Sequence, residues 1–258
     1  MSLLCIDVGN TSTHWGEVKD HQVVTSGDIP TRLLVEKAGA PLQEILTRGQ
    51  FTGIALASVV PQATTQCMAV LTQSGLPLHH LRHDTVKGLN FDYPKPAEVG
   101  QDRLANCIGA QHLVGAPAVI IDMGTATTFD ILSARGYAGG IIAPGLSVMT
   151  QYLHAQTALL PQLDSNDLLG GPIIGKSTID AMRAGCALGF SGMIATLLEA
   201  VTAELKKQGS GNPAVLATGG AAPFLPASWA GKIRHEPNLT LLGLAVSFER
   251  TQNESRRS

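Results

Sequence analysis

The stretch Leu3-Leu4-Cys5-Ile6-Asp7-Val8-Gly9-Asn10-Thr11-Ser12-Thr13 decides how the rest of the chain is read. An apolar run that stops at Asp7 and turns through Gly9-Asn10 reads as a buried strand whose tip carries one carboxylate and several backbone N–H groups. A phosphate with its divalent ion can sit at such a tip, and Thr11, Ser12 and Thr13 add hydroxyl donors. Taken alone, the same residues also describe a tight hairpin with a solvated Asp and hydroxyls that only satisfy the turn.

A second copy favours the phosphate reading. Ala118-Val119-Ile120-Ile121-Asp122-Met123-Gly124-Thr125-Ala126-Thr127-Thr128 repeats the pattern, with Asp122 over Asp7, Gly124 over Gly9, Thr125 over Asn10 and Thr128 over Thr13. One such hairpin in each half of the chain points to two similar lobes facing each other across a cleft, able to grip a nucleotide from both sides.

At 258 residues the chain suits two modest domains or one large one, with length enough to bury a core. Hydrophobic residues make up 44% and charged residues 15%, which excludes a disordered chain, and 28 glycines imply many tight turns. A formal net charge of -2 supplies no basic face for nucleic acid or an anionic membrane, so small molecules are the expected partners. Cys5, Cys67, Cys107 and Cys186 form no Cys-x-x-Cys pair and read as reduced core residues of a cytoplasmic protein. Asp7 interrupts the first apolar run before a secretory segment forms, and no later segment is expected to reach membrane-spanning length free of charge or turn signals.

Along the chain, strands are expected at Trp15 to Val18 and Gln22 to Thr25, completing an antiparallel meander. A helical stripe follows from Arg32 to Thr47, broken by Gly39 and Pro41, then a buried parallel strand from Gly53 to Val60 ended by Pro61, and a helix from Gln62 to Thr72. Pro77 to Arg82 reads as a strand carrying His79 and His80, with His83 and Asp84 beyond; the cluster has the side chains of a metal site but equally those of a solvated strand end. A proline-containing loop, Asn90 to Gln101, leads into the helix Leu104 to Leu113. The second half repeats the meander, from Val119 to Asp122, Thr127 to Leu132 and Tyr137 to Ala143, followed by helices at Leu146 to Ala155 and Ser177 to Leu205. A short strand, Ala214 to Ala217, ends in Thr218-Gly219-Gly220, where a flat adenine ring can approach the backbone. The last helix is expected at Leu239 to Phe248, before a polar tail from Thr251 to Ser258.

Two further motifs carry chemistry. Gly170-Gly171-Pro172-Ile173-Ile174-Gly175-Lys176-Ser177 matches the phosphate-loop pattern, but it follows a turn-forming stretch where a phosphate loop follows a buried strand, so it reads better as a loop and helix start presenting the Thr178 hydroxyl. Gly100-Gln101-Asp102-Arg103 sets a carboxylate beside a guanidinium. As structure, these are a first-turn acid and a surface charge; as chemistry, Asp102 orients or deprotonates a hydroxyl while Arg103 pairs with a substrate carboxylate, and Tyr93 closes the pocket.

The ordered set of these motifs resembles the type III pantothenate kinases, members of the fold superfamily shared by acetate and sugar kinases, heat-shock chaperone ATPases and actin. The likeness rests on Asp7-Val8-Gly9-Asn10-Thr11, Tyr93, Gly100-Gln101-Asp102-Arg103, Asp122 to Asp130, Gly139-Gly140, Pro144-Gly145, Thr157 to Pro161, Gly175 to Thr178 and Thr218-Gly219-Gly220. It implies an α/β protein of two ribonuclease H-like lobes, each a mixed five-stranded sheet with flanking helices, at 1–116 and 117–250, with a tail at 251–258.

The implied activity is ATP-dependent phosphorylation of pantothenate to 4′-phosphopantothenate, the first step of coenzyme A synthesis. By the same resemblance, Asp7, Val8, Gly9, Asn10, Thr11, Ser12, Thr13 and His14 form the first phosphate loop, with Asp7 near Mg²⁺, and Thr125 contacts ATP from the second. Asp122 binds a monovalent cation, potassium or ammonium. Tyr93, Gly100, Gln101, Asp102, Arg103 and Thr178 hold pantothenate, Asp102 accepts the proton, and the protein is a homodimer. The alternatives are a non-catalytic nucleotide-binding accessory or regulatory protein, a kinase for another small hydroxy acid, and a phosphate-loop nucleotidase.

Overall fold

The computed structural model describes residues 2–225, 229 and 231–255. It holds two compact units, each built on a mixed five-stranded sheet.

The first unit gathers residues up to Gly115, Arg135–Gly139 and the stretch from Asn238 onward. In the middle of its sheet β1 (Ser2–Val8) runs antiparallel to β2 (Ser12–Lys19) and parallel to β4 (Gly53–Ser58), with β3 (Gln22–Pro30) and β5 (Leu78–His80) at the edges. The expected meander is present. β1 and β4 are apolar because both of their faces are covered. On one face Leu4, Ile6 and Val8 meet Leu34, Leu42, Cys67 and Leu71 from α1 (Thr31–Glu36), α2 (Ala40–Arg48) and α3 (Pro61–Gln73). The single stripe expected from Arg32 to Thr47 is thus two helices, parted where Gly39 takes a φ of +78°.

The opposite face is covered by α7 (Leu239–Ser255), whose buried Phe248 fills the space left by Gly53. Burial of such a side chain contributes about 1.5–3 kcal/mol. α7 also crosses α4 (Gln101–Val114) at paired glycines: a Cβ on Gly109 would lie 2.8 Å from the Leu239 carbonyl, and one on Gly243 would strike the Ala105 backbone. This close crossing counts α7 with the first unit, whereas the division at 117–250 expected from sequence put it in the second. The helix also continues to Ser255 through residues expected to be tail; 256–258 lie outside the described residues.

In the second unit β6 (Ala118–Met123) lies between β7 (Ala126–Ser133), antiparallel, and β9 (Ala214–Thr218), parallel. With β8 (Gly136–Pro144) and β10 (Arg234–His235) the order β8-β7-β6-β9-β10 matches β3-β2-β1-β4-β5 strand for strand. One detail departs from the expected register. Val8 stands opposite Thr13, but Met123 stands opposite Thr127, so the second turn is one residue shorter and Thr127, not Thr128, is the counterpart of Thr13. The sheet packs Ile121, Met123 and Phe129 against Leu146 of α5 (Leu146–Ala155) and Met182, Phe190 and Ile194 of α6 (Thr178–Lys207).

α6 is long and apolar, although its charge-free stretch runs only from Ala184 to Leu198, between Arg183 and Glu199. By length and composition it is apolar enough to cross a membrane, and most of it is not buried. Gly185, Gly189 and Gly192 break no turn of it; space is open around each.

Candidate active site

The first hairpin ends the central strand of its unit with Asp7 opposite His14. Gly9 N–H donates to Ser12 O at 3.1 Å to close the turn, and a Cβ on Gly9 would lie 2.9 Å from that oxygen. From behind, Thr31 donates its hydroxyl to Gly9 O at 2.6 Å and its N–H to Thr11 O at 3.0 Å. Asn10, Thr11 and Ser12 are exposed at the tip, as a ligand-facing turn requires. Val8 and Thr13 are buried, and the Thr13 hydroxyl bonds that of Thr31 at 3.0 Å, which makes Thr13 a support behind the turn. His14 is engaged through both ring nitrogens, with Asp28 and Asn238, each at 3.0 Å, tying β2 to β3 and the start of α7.

The second hairpin presents Gly124, Thr125 and Ala126 at its exposed tip. Its support comes from glycine backbones. Gly145 N–H donates to Thr125 O at 3.1 Å, and Gly219, at φ +90°, lies so near Met123 that a Cβ would stand 2.6 Å from its backbone. The Thr218-Gly219-Gly220 turn therefore abuts the hairpin, with Thr218 beside Asp122 in the parallel register. Asp122 is half-buried. Among the described residues, the buried hydroxyl oxygens of Thr127 and Thr128 have no hydrogen-bond partner, so hard oxygens are available on the return strand.

Asp102 stands in the first turn of α4. Burial pushes its carboxyl above the usual carboxylate range, against the pull of the Arg103 N–H, which donates to Asp102 Oδ1 at 2.8 Å, and of the Arg103 charge. Gly100 makes room for it, because a Cβ there would lie 2.5 Å from the same oxygen. Gln101, beside it, is half-buried and held at its carbonyl end: its Oε1 accepts the Ser58 N–H at 2.7 Å and lies 3.0 Å from His80 Nε2.

Tyr93 and Arg103 meet at a residue that sequence reading placed only as strand. Tyr137 is buried, its ring 5.6 Å from that of Tyr93 in an edge-on contact and 6.0 Å from the Arg103 guanidinium carbon. The loop is zipped to it, with Tyr137 N–H donating to Asn90 O and Asp92 N–H to Tyr137 O, at 2.8 and 2.9 Å. Its signal in the sequence was the neighbouring Gly139, where φ is +121° and a Cβ would touch the Tyr93 ring at 3.7 Å.

Thr178 belongs to the second unit. It is exposed in the first turn of α6 and lines an apolar cavity of about 520 Å³ with Met149, Tyr152, Met182 and Cys186. Ser177 caps the helix, accepting the Asp180 N–H at 3.1 Å. The glycine-rich stretch before it follows a short 3₁₀ turn at Ser165–Leu168, and Gly175 packs against the α6 backbone at Ala181, so the phosphate-loop reading lacks both its strand and its open cradle. The histidine cluster is likewise no metal centre. His79 is buried with its Nε2 2.9 Å from Ser247 Oγ, half-buried His80 meets Gln101, and among the described residues no three His, Cys, Asp or Glu side chains are grouped to hold an ion.

The family model for type III pantothenate kinase matches residues 3–200. The chain belongs to the type III pantothenate kinase family. It is 37% identical over 254 residues to a type III pantothenate kinase of Akkermansia muciniphila, with 96% of this chain and 98% of that one covered. Solved structures show the fold alone. They include a ROK family glucokinase from Streptomyces griseus (TM-score 0.60, 10% identity, 96% and 100% of the two chains) and the (R)-2-hydroxyglutaryl-CoA dehydratase component A of Acidaminococcus fermentans (TM-score 0.59, 14% identity, 98% and 99%). The fold is thus the actin-like one that the paired sheets resemble, and the protein is an ATP-dependent kinase that phosphorylates pantothenate in coenzyme A biosynthesis.

Proposed function

We propose that Asp102 is the proton acceptor for the pantothenate hydroxyl, with Arg103 and Tyr93 holding the substrate. The observation that carries this is the carboxylate itself: mostly buried, raised in proton affinity, and given its space by a glycine two residues earlier. As the hydroxyl oxygen bonds to the γ-phosphorus, the bond to the β–γ bridging oxygen breaks and the hydroxyl proton passes to Asp102. The guanidinium of Arg103 suits the pantothenate carboxylate, and the Tyr93 ring suits its apolar body. Thr178 adds a hydroxyl contact at the first turn of α6.

ATP is bound at the first turn, Asp7 to His14, with Asn10, Thr11 and Ser12 facing it and Val8, Thr13 and His14 holding the turn from behind, and by Thr125 of the second. The Asp7 carboxylate at the strand tip suits Mg²⁺, which would be held by it together with phosphate oxygens. Asp122, with the Thr128 hydroxyl opposite it on β7, suits a monovalent cation, potassium or ammonium. When bound, the two ions offset the negative charge of the triphosphate.

The exposed side of α6, with open space at Gly185, Gly189 and Gly192 and Leu188 54% exposed, is the face a second copy of the chain covers in a homodimer. The four cysteines are free and buried, in keeping with work in the cytoplasm. The test is ADP release with and without pantothenate, in potassium and then in sodium buffer. Pantothenate-dependent, potassium-stimulated release is expected, with the stimulation lost in Asp122→Ala; release indifferent to pantothenate refutes the substrate.

A further inference from the structure

The carbonyl of Gln101 receives two partners, and one of them fixes the chemistry of the other. Ser58 N–H can only donate, so the atom it meets at 2.7 Å is the amide oxygen. His80 Nε2, 3.0 Å from that same oxygen, must then carry a proton. His80 ends β5, half-buried, and Thr85 holds its carbonyl at 2.8 Å. On the other side, Val59 N–H donates to Val8 O at 3.1 Å, at the root of the first hairpin. The dipeptide Ser58-Val59 therefore ties both the phosphate turn and the helix end that carries Asp102, and the second tie is completed by His80.

We infer that His80 is a positioning residue: as the Nε2–H tautomer it clamps Gln101 against the end of β4 and so fixes the first turn of α4, on which Asp102 stands. It touches no substrate. Without it, Gln101 keeps one bond where it had two, and the helix start that aims the carboxylate gains freedom. Burial lowers the proton affinity of the ring, which favours the neutral imidazole the clamp uses. The inference rests on the proposed role of Asp102.

The test compares His80→Ala with His80→Gln, whose amide places an N–H near the position of Nε2. In His80→Ala, kcat for pantothenate-dependent ADP release is expected to fall about 10- to 100-fold, the scale of a misplaced reacting group, with KM for ATP little changed. His80→Gln recovers most of the loss. Wild-type kcat in His80→Ala overturns the inference, as does a folded His80→Gln no better than His80→Ala. Imidazole ¹⁵N shifts of the unmutated protein decide the matter even if neither variant folds: Nε2–H supports the clamp and Nδ1–H refutes it. Failure of the unmutated protein to respond to pantothenate would instead sink the functional reading, and the tautomer would still test the clamp.

Discussion

Replacing Gly100 by alanine tests the active site with the smallest possible change. The added Cβ would stand 2.5 Å from Asp102 Oδ1, and real Cβ atoms essentially never come within 3.0 Å, so the carboxylate must retreat by about 0.5 Å or more. The backbone can accept alanine, since φ at Gly100 is -58° and no left-handed strain arises. The retreat also stretches the 2.8 Å bond from Arg103 N–H. A shift of this size in a reacting group costs on the order of 10- to 100-fold in rate, while loss of glycine at a helix start costs roughly 0.5–1 kcal/mol of stability. Gly100→Ala is therefore expected to fold, to bind ATP normally and to lose most of its kcat, read from pantothenate-dependent ADP release at saturating substrates beside a thermal melt. Full turnover by the folded variant would show that the Asp102 carboxylate does not need its present place.

Asp102→Asn is expected to lose about 10²- to 10⁴-fold in rate. It should also be more stable at neutral pH: the native carboxyl binds its proton more tightly than the unfolded one, so stability falls as pH rises through the raised value, and an amide escapes that loss; chemical denaturation at pH 7 checks the sign. His79, buried and neutral with a proton affinity lowered to about 4, works the other way. The unfolded ring takes up a proton near pH 6.5 and the folded one does not, so urea titrations should show stability whole above pH 6.5 and falling by about 3 kcal/mol toward pH 4, a slope that His79→Gln flattens. Leu188→Arg, on the exposed side of α6, should turn a dimer into a monomer by analytical ultracentrifugation, and a dimer that survives it would place the interface elsewhere.

Most of the fold was legible because its central strands are buried on both faces, and such strands must be written as unbroken apolar runs. The candidate site left its mark for a related reason: Asp7 and Asp122 interrupt apolar runs that have no local use for a charge, whereas Asp102 could equally have been an ordinary first-turn acid. What stayed hidden depended on meetings between distant segments. Nothing local to Gly109 and Gly243 says that they cross, so α7 was assigned to the wrong half. The paired threonines at 127 and 128 let the second hairpin align to the first in either of two registers, and residue type favoured neither. The α6 helix was legible in spite of Gly185, Gly189 and Gly192, which leave open space on one side of a continuous helix. His80 invited a metal reading because its partner, Gln101, lies 21 residues away.

The two hairpins share more than an outline. A turn that faces phosphate must offer donors and withdraw its carbonyls, whose negative ends repel the ligand. In the first turn Gly9 O and Thr11 O are taken by Thr31, and Ser12 O by Gly9 N–H. In the second, Met123 O is taken by Ala221 N–H and Thr125 O by Gly145 N–H. Different residues thus satisfy the same electrostatic need, a threonine in one unit and backbone reaching past glycines in the other. The second turn leaves no room for a side chain at 145 or 219, so both positions are glycine for a reason that lies behind the turn. Their constraint is the shape of the cradle behind the turn, and the ligand is selected by what that cradle leaves facing outward.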